Sequence, residues 1–400
     1  MSAIDIDSIL REVCERLAPI DKAPCSAGER EAAEWIAARL ERAGVADVLL
    51  EDEPSWSTFP PTGVALGLLG MAGCGLVATG RPRFGSLLAL TSIAGVLDEA
   101  ENGPRVFRRA LRRRLSTVNV VARAGDPAAP RTLVLLAHHD AAQTGHLFDQ
   151  GLQIKINRRW PGLLRRFKTQ PPLWWIGVVG QLLAIAGAAS GRRSRAVAGL
   201  FVNGLAVAIV ADVMRSPTVP AANDNLSAVA ALAAVAELLR ERPIPGLRVL
   251  LVSAGAEETL QDGIRAFVAR HRAELDTATT WILNMDTIGS PRLIMLEGEG
   301  PFGIQEYTDP PFRDLIERVA AEQGIALERG FRARASTDSV ITSRAGYPST
   351  CLGSLNEWQA MSNYHLMTDV PENLDYGTIA SATRLAYAVG ESLAAGGGGR

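Results

Sequence analysis

The 400 residues include only five histidines, and two of them close an apolar run in LVLLAHHDA, at His138 and His139. His138 and Asp140 form an HxD pair; in a strand, residues two apart share a face, so Asp140 can hold the second nitrogen of a metal-binding His138. Alone, the pair reads equally as a buried histidine satisfied by a carboxylate. Asp224 stands in AANDNLSAV just before a helical pattern, where an acid is commonly a cap. Glu257 and Glu258 follow directly on an apolar run in LLVSAGAEET, and Asp286 ends another in WILNMDTIG. His365 lies in NYHLMTDVPENLD. An isolated Glu–Glu pair reads as a solvated face, and each remaining motif as a turn or strand end. Together they place two imidazoles and several carboxylates at the ends of successive strands. Such a mixed donor set suits two zinc ions with a position left for water. His139 points to the opposite face, and His146 and His271 have no motif around them.

The positioning elements are legible as apolar runs. Leu133–Ala137, Leu247–Ser253, Trp281–Met285 and Leu293–Leu296 read as buried strands, with a further strand near Asp47–Glu51. Helical periodicity covers Ile4–Leu17, Gly28–Ala43, Ser227–Arg240, Ile264–His271, Phe312–Glu322 and Tyr376–Leu393. The alternation predicts a three-layer α/β/α sandwich with a mixed central sheet.

The ordered motifs HxD, DN, EE, NMD and YHxxxDxPENLD resemble the co-catalytic zinc metallopeptidases of the aminopeptidase Y and bacterial leucyl aminopeptidase family. Glutamate carboxypeptidases and glutaminyl cyclases are relatives of that family. The resemblance covers roughly residues 26–50, 116–145 and 221–390. It implies that His138 and Asp286 bind one zinc, Glu258 and His365 the other, and that Asp224 bridges them, with a cis peptide before Asn225. It assigns Glu257 as general base and Asp140 as the residue orienting His138. The chain departs from the family at Ala228, where a glycine is usual, and at Thr337–Asp338–Ser339, where SDH is usual. Those departures put the substrate pocket in doubt rather than the metal set. Arg334 stands near a tyrosine position of some relatives and is a candidate contact for a substrate carbonyl or carboxylate.

His138 and Asp224 are 86 residues apart, where the family spends a few tens. Uncharged runs account for the excess and for a second extra segment. Residues 54–80 and 84–97 flank Arg81–Arg83, and residues 169–191 and 196–211 flank Arg192–Arg195. Each pair reads as a hairpin of two apolar helices. A membrane span needs roughly 20 apolar residues, a length the first run of each pair meets and the second does not. Buried core helices or an apolar oligomer interface are the other readings. The expected organisation is a zinc peptidase domain over 1–53, 116–147 and 218–400, interrupted by hairpin insertions at 54–115 and 148–217.

Composition agrees with a folded enzyme carrying membrane-like sequence. Hydrophobic residues are 47% and charged residues 21%, which excludes a mainly disordered chain. Mean hydropathy is +0.10, between a soluble enzyme and a membrane protein. The net charge of −2 provides no field favouring nucleic acid. Cys14, Cys25, Cys74 and Cys351 show no paired spacing and are expected to be reduced thiols. The first fifty residues lack a basic-then-apolar leader, so the chain is expected to begin in the cytoplasm.

The expected function is a membrane-associated exopeptidase, foremost an aminopeptidase, in which a metal-activated water attacks a peptide bond and Glu257 shuttles the proton. The expected partners are a peptide and the lipid bilayer of the cell membrane, with the catalytic domain facing the cytoplasm. A catalytically silent membrane scaffold and a glutaminyl-cyclase-like acyltransferase with one zinc are the alternatives.

Overall fold

A computed structural model describes residues 4–396. The strands are β1 (Asp47–Ser55), β2 (Leu115–Gly125), β3 (Thr132–His138), β4 (Arg248–Ala254), β5 (Thr280–Met285), β6 (Arg292–Glu299), β7 (Gln305–Glu306), β8 (Glu328–Ala333) and β9 (Ser349–Leu355). The helices before β4 are α1 (Ile6–Leu17), α2 (Ala27–Arg42), α3 (Pro60–Ala78), α4 (Pro82–Ala100), α5 (Val106–Leu111), α6 (Gly151–Arg159), α7 (Ile176–Ser190), α8 (Arg193–Arg215) and α9 (Ser227–Glu241). After β4 come α10 (Asp262–His271), α11 (Pro310–Glu322), α12 (Asp338–Arg344) and α13 (Tyr376–Ala394).

The strands form one mixed sheet in the order β1-β2-β4-β3-β5-β9-β6-β7, with β8 also paired to β6. Its centre, β4-β3-β5-β9, is parallel. Four carboxyl ends therefore open on one edge, where α/β sheets place their sites. Alternation along the strands feeds a core on each face. Leu133, Leu135 and Ala137 join the cluster containing residues of α1, α2, α9 and α13, while Val134 and Leu136 join the smaller one with Ile264, Phe267 and Val340. This is the expected three-layer arrangement.

Strands β2, β7, β8 and β9 lie outside the apolar runs read from the sequence. In β9 all seven residues of STCLGSL are buried, yet four are serine, threonine or glycine. In β2 the buried positions include Thr117 and Asn119, which bond to Glu29 of α2 and to the Gly263 carbonyl of α10. Burial there is satisfied by hydrogen bonds, which hydropathy does not register.

The apolar runs fold as two hairpins, α3–α4 and α7–α8, packed into one four-helix bundle. Backbones approach closely at small residues: a Cβ on Gly73 would lie 2.8 Å from the carbonyl oxygen of Gly85, and one on Gly180 2.6 Å from that of Gly199. Phe84, Leu87, Leu90, Phe201 and Leu205 project outward, with Phe201 76% exposed. Among the described residues, three helices are long and apolar enough to cross a membrane, Pro60–Ala78, Leu173–Ser190 and Arg193–Arg215. This corrects the expectation for the second hairpin. The uncharged run at 196–211 is only the middle of a 23-residue helix whose charged residues sit near its ends. Helix α4 does fall short as a span, because its 19 residues include Arg83, Asp98 and Glu99.

Candidate active site

The carboxyl edge of the sheet gathers the motif residues. β3 ends on His138, β4 runs through Gly255 and Ala256 into the turn at Glu257–Thr259, and β5 is followed by Asp286. The loop after β9 brings in His365. Asp224 lies in the irregular segment Ala222–Leu226 before α9, and its peptide bond to Asn225 is cis. Asp224 sits between the two imidazoles: His138 Nε2 is 3.3 Å from its Oδ1, and His365 Nε2 is 3.1 Å from its Oδ2. His365 Nε2 is also 3.2 Å from Glu258 Oε1. His138 Nδ1 is 3.4 Å from Asp140 Oδ1.

Hydrogen bonds to backbone fix these groups. Asp140 Oδ1 and Oδ2 accept from the Glu257 and Glu258 N–H, each at 3.0 Å. Asp369 accepts from the N–H of Asn223 and Asp224 at 2.8 and 3.1 Å. Asn225 donates to the Met285 carbonyl and accepts from the Thr287 N–H, which ties the Asp224 segment to the end of β5. The buried Glu29 accepts from the Ala256 N–H at 2.8 Å and from Thr117. Two glycines are obligatory here. A Cβ on Gly255 would lie 2.3 Å from Thr117 Oγ1, and one on Gly263 2.0 Å from the Gly255 carbonyl oxygen.

Three overlapping donor sets result among the described residues: His138–Asp224–Asp286, His138–Glu257–Glu258 and Asp224–Glu258–His365, with ligand atoms within 4.8 Å in each. His138 Nδ1 and both ring nitrogens of His365 are buried without a well-formed hydrogen bond. Among the described residues no lysine or arginine pairs with Asp224, Glu257, Glu258 or Asp286. Buried carboxylates in excess over cations demand protons or metal. Accordingly, burial and then the Asp224 charge push Asp286 up to about 7. Burial raises Glu257 well above the carboxylate range. Burial pulls His365 down, but Glu258 and Asp224 outweigh it and lift the ring to about 10. Imidazole and carboxylate at this spacing, with orphaned nitrogens, fit zinc.

Beside the donors lies a cavity of about 80 Å³ whose apolar wall is Ile294, Leu296, Leu355 and Met361. Gln170, from the segment entering α7, also lines it. His365 is flanked by Tyr364, stacked at 3.9 Å, and by Phe148, edge-on at 4.4 Å between centroids. Ala333 and Ala335 face the cavity, whereas the Arg334 guanidinium turns to the Phe302 carbonyl oxygen at 3.4 Å. Asp338 is buried, with burial raising its carboxyl well above the usual range.

The remaining histidines lie elsewhere: His139 contacts Ser253, His146 pairs with Asp212, and His271 with Glu51 and Glu274. Sequence reasoning gave no role to Asp369, Tyr364, Phe148, Gln261 or Glu29. Asp369 and Tyr364 stood inside the last motif, which was a signal. Phe148 stood in an insertion and offered none.

Residues 207–390 match the model of Peptidase family M28. No functionally curated protein matches the sequence significantly. Among solved structures, the chain is similar to a Zn-dependent exopeptidase from Parabacteroides distasonis at 13% identity, covering 96% of this chain and 97% of that one, with a TM-score of 0.55. It is similar to a leucine aminopeptidase precursor from Bacteroides thetaiotaomicron at 13% identity, covering 98% of each, with a TM-score of 0.55. A glutaminyl cyclase from Fimbriiglobus ruber aligns at 13% identity over 98% of this chain and 97% of that one, with a TM-score of 0.56. At such identities these likenesses establish the shared fold alone. The family match over residues 207–390 and the shared fold agree with a zinc metallopeptidase.

Proposed function

From a chain whose residues 207–390 carry a Peptidase family M28 domain, we propose a membrane-associated zinc exopeptidase, foremost an aminopeptidase. The observation that carries this reading is the convergence of His138, Asp224, Glu257, Glu258, Asp286 and His365 on one strand edge without a basic partner. His138 and Asp286 would hold one zinc, Glu258 and His365 a second, and Asp224 both. Zinc, when bound, supplies Lewis acidity that polarises a scissile carbonyl and acidifies a water. Glu257 takes the proton of that water as its oxygen attacks the carbonyl carbon. It then delivers the proton to the amine nitrogen as the C–N bond breaks. Asp140 keeps the Glu257–Glu258 turn and the His138 ring in register. The cavity wall of Ile294, Leu296, Leu355 and Met361 would take an apolar substrate side chain.

The same reading assigns 1–53, 116–147 and 218–400 to the catalytic domain, with hairpin insertions at 54–115 and 148–217 that anchor it to the bilayer. The outward apolar side chains of the bundle support the anchor. Six basic residues follow the first hairpin, among them Arg108, Arg109 and Arg112, and six precede the second, among them Arg158, Arg159 and Arg165. Only five lie at the two tips. That bias supports a cytoplasmic catalytic domain.

The deciding experiment loads the purified protein with zinc and screens amino-acid p-nitroanilides and dipeptides, with chelator controls and a metal count. Chelator-sensitive release of the N-terminal residue and about two zincs per chain are expected, as a filled co-catalytic site requires. One zinc with cyclisation of N-terminal glutamine favours the acyltransferase. A metal-free, inactive chain favours the scaffold.

A further inference from the structure

The turn that follows Glu258 carries the buried side chain of Gln261. Gln261 is 1% exposed and, with Leu260, occupies left-handed backbone at φ +67° and +68°. Its Nε2 donates to Glu257 Oε1 at 2.7 Å and to the Ser336 carbonyl at 2.9 Å. Its Oε1 accepts from the Ser336 hydroxyl at 3.2 Å. Two donors and an acceptor are thus in use, so the amide has one orientation and presents an N–H to the carboxylate. With Glu257 Oε1 occupied in this way, Oε2 is left to act on a substrate-side proton.

The neighbours of Gln261 come from the end of the first hairpin. Asn102 Nδ2 donates to Ser336 Oγ at 3.3 Å. Arg105 donates to Asn102 Oδ1 at 2.8 Å and forms a buried ion pair with Asp262, the residue after Gln261. Arg108, fully buried, donates to the Thr259 carbonyl and pairs with Glu99 of α4. Ser55 donates to the other oxygen of Asp262 at 2.7 Å. Two contacts, Arg105 on Asp262 and Arg108 on the Thr259 carbonyl, therefore grip the segment 259–262 from residues 99–108, which lead directly out of α4, while Asn102 reaches Gln261 through Ser336.

We propose that Gln261 is a positioning residue that aims the Glu257 carboxylate, and that the exit of the first apolar hairpin, through Asn102, Arg105 and Arg108, holds Gln261 in place. The proposal rests on the reading of Glu257 as general base. A glutamate side chain has three rotatable bonds and a broad terminal torsion, whereas proton transfer needs an approach of about 2.6–3.2 Å. A fixed N–H on one oxygen removes that freedom before substrate arrives. The hairpin thereby becomes part of the catalytic framework rather than an anchor alone.

The test compares wild type, Gln261→Met and Asn102→Ala as full-length, zinc-loaded protein. Methionine keeps length and loses both donors. The Gln261→Met variant is expected to lose kcat by about 10–100-fold, the usual cost of removing an outer-shell contact. Its KM and zinc content should be unchanged, which a merely destabilised fold would not produce. Asn102→Ala should lower kcat by less. Crystal structures of wild type and Gln261→Met give a readout independent of turnover, in which the Glu257 carboxylate should leave its wild-type position. A Gln261→Met enzyme with wild-type kcat, or an unmoved Glu257 carboxylate, overturns the positioning role. An Asn102→Ala enzyme identical to wild type overturns the part given to the hairpin. Wild-type protein that holds zinc but cleaves no peptide refutes the general-base reading instead, and the two crystal structures still decide whether Gln261 places Glu257.

Discussion

Asp140 and Glu257 are joined through the backbone: Asp140 Oδ1 accepts the Glu257 N–H at 3.0 Å, while Oδ2 accepts that of Glu258 at the same distance. One carboxylate therefore couples the end of β3 to the turn after β4, strands that pair in parallel with His138 opposite Ala254. The HxD and EE motifs, over a hundred residues apart, are two halves of one hydrogen-bonded unit.

Asp140→Asn tests that unit. An asparagine has one acceptor, so its NH₂ would face a peptide N–H, and the contact at His138 Nδ1 would change as well. The expected result is a loss of about 10–100-fold in zinc affinity or in kcat/KM, the range for outer-shell changes around a metal ligand. Chelator competition and steady-state kinetics measure it. Wild-type values in both would show that the turn is held by other contacts, such as Glu29 on Ala256.

Glu257→Gln separates base from ligand. The residue stands among the donors, yet it also takes the Gln261 N–H, so its charge is not required to hold the fold. Hydrolysis should fall by about 10²–10⁴-fold, as when a general base is removed. Zinc content should stay at the wild-type level, and Glu258→Ala should lose metal. Equal zinc loss in both variants would make Glu257 a metal ligand as well, and zinc lost only on Glu257→Gln would mean that the two roles are exchanged.

Zinc affinity should rise with pH. A ligand imidazole must be neutral, whereas in the metal-free site His365 is lifted to about 10 by Glu258 and Asp224 acting against burial. Metal entry therefore displaces a proton at any pH below that value. Asp286, pushed by burial up to about 7, takes a proton as pH falls through that value and adds a second competitor. The slope of log affinity against pH should be positive throughout and steeper below about pH 7. Chelator competition at about pH 6, 7 and 8, with an indicator dye counting released protons, reads both quantities. A flat profile with no proton release would exclude His365 as a ligand.

His138, Glu257, Glu258 and Asp286 were legible because each ends or follows an apolar run, and the parallel order β4-β3-β5-β9 brings those ends to one edge; Asp224 and His365 were legible only through the order of the motifs. What supports them was less legible. Asp369 and Asn225 act on backbone N–H and carbonyl groups, and no side-chain pattern marks such targets. Gln261 reaches Glu257 only because two consecutive residues adopt left-handed backbone, which neither leucine nor glutamine advertises. Arg105 and Arg108 looked like part of a basic flank. They are instead buried in ion pairs with Asp262 and Glu99, and the count of solvent-facing charge in that flank is correspondingly smaller.

Membrane topology is the remaining expectation. The catalytic segments lie before, between and after the hairpins, so each hairpin must return the chain to its starting side. Helix α4 is too charged for a span by composition, but it packs along α3 through Gly73 and Gly85. It can thus complete the first hairpin inside the bundle, with Leu87 and Leu90 turned outward. The basic residues number twelve beside the catalytic segments and five at the tips. Removing the buried Arg105 and Arg108 from the first group leaves the bias in the same direction. The protein should therefore sediment with membranes, resist alkaline extraction and dissolve in detergent. Single cysteines at the exposed positions Ser194 and Ala128, in a chain whose half-buried Cys25 is replaced by serine, report the orientation. An impermeant thiol reagent on intact cells should label the Ser194→Cys protein and spare the Ala128→Cys protein until lysis. The opposite pattern would invert the topology, and full recovery of the protein in the soluble fraction would remove the membrane from the account.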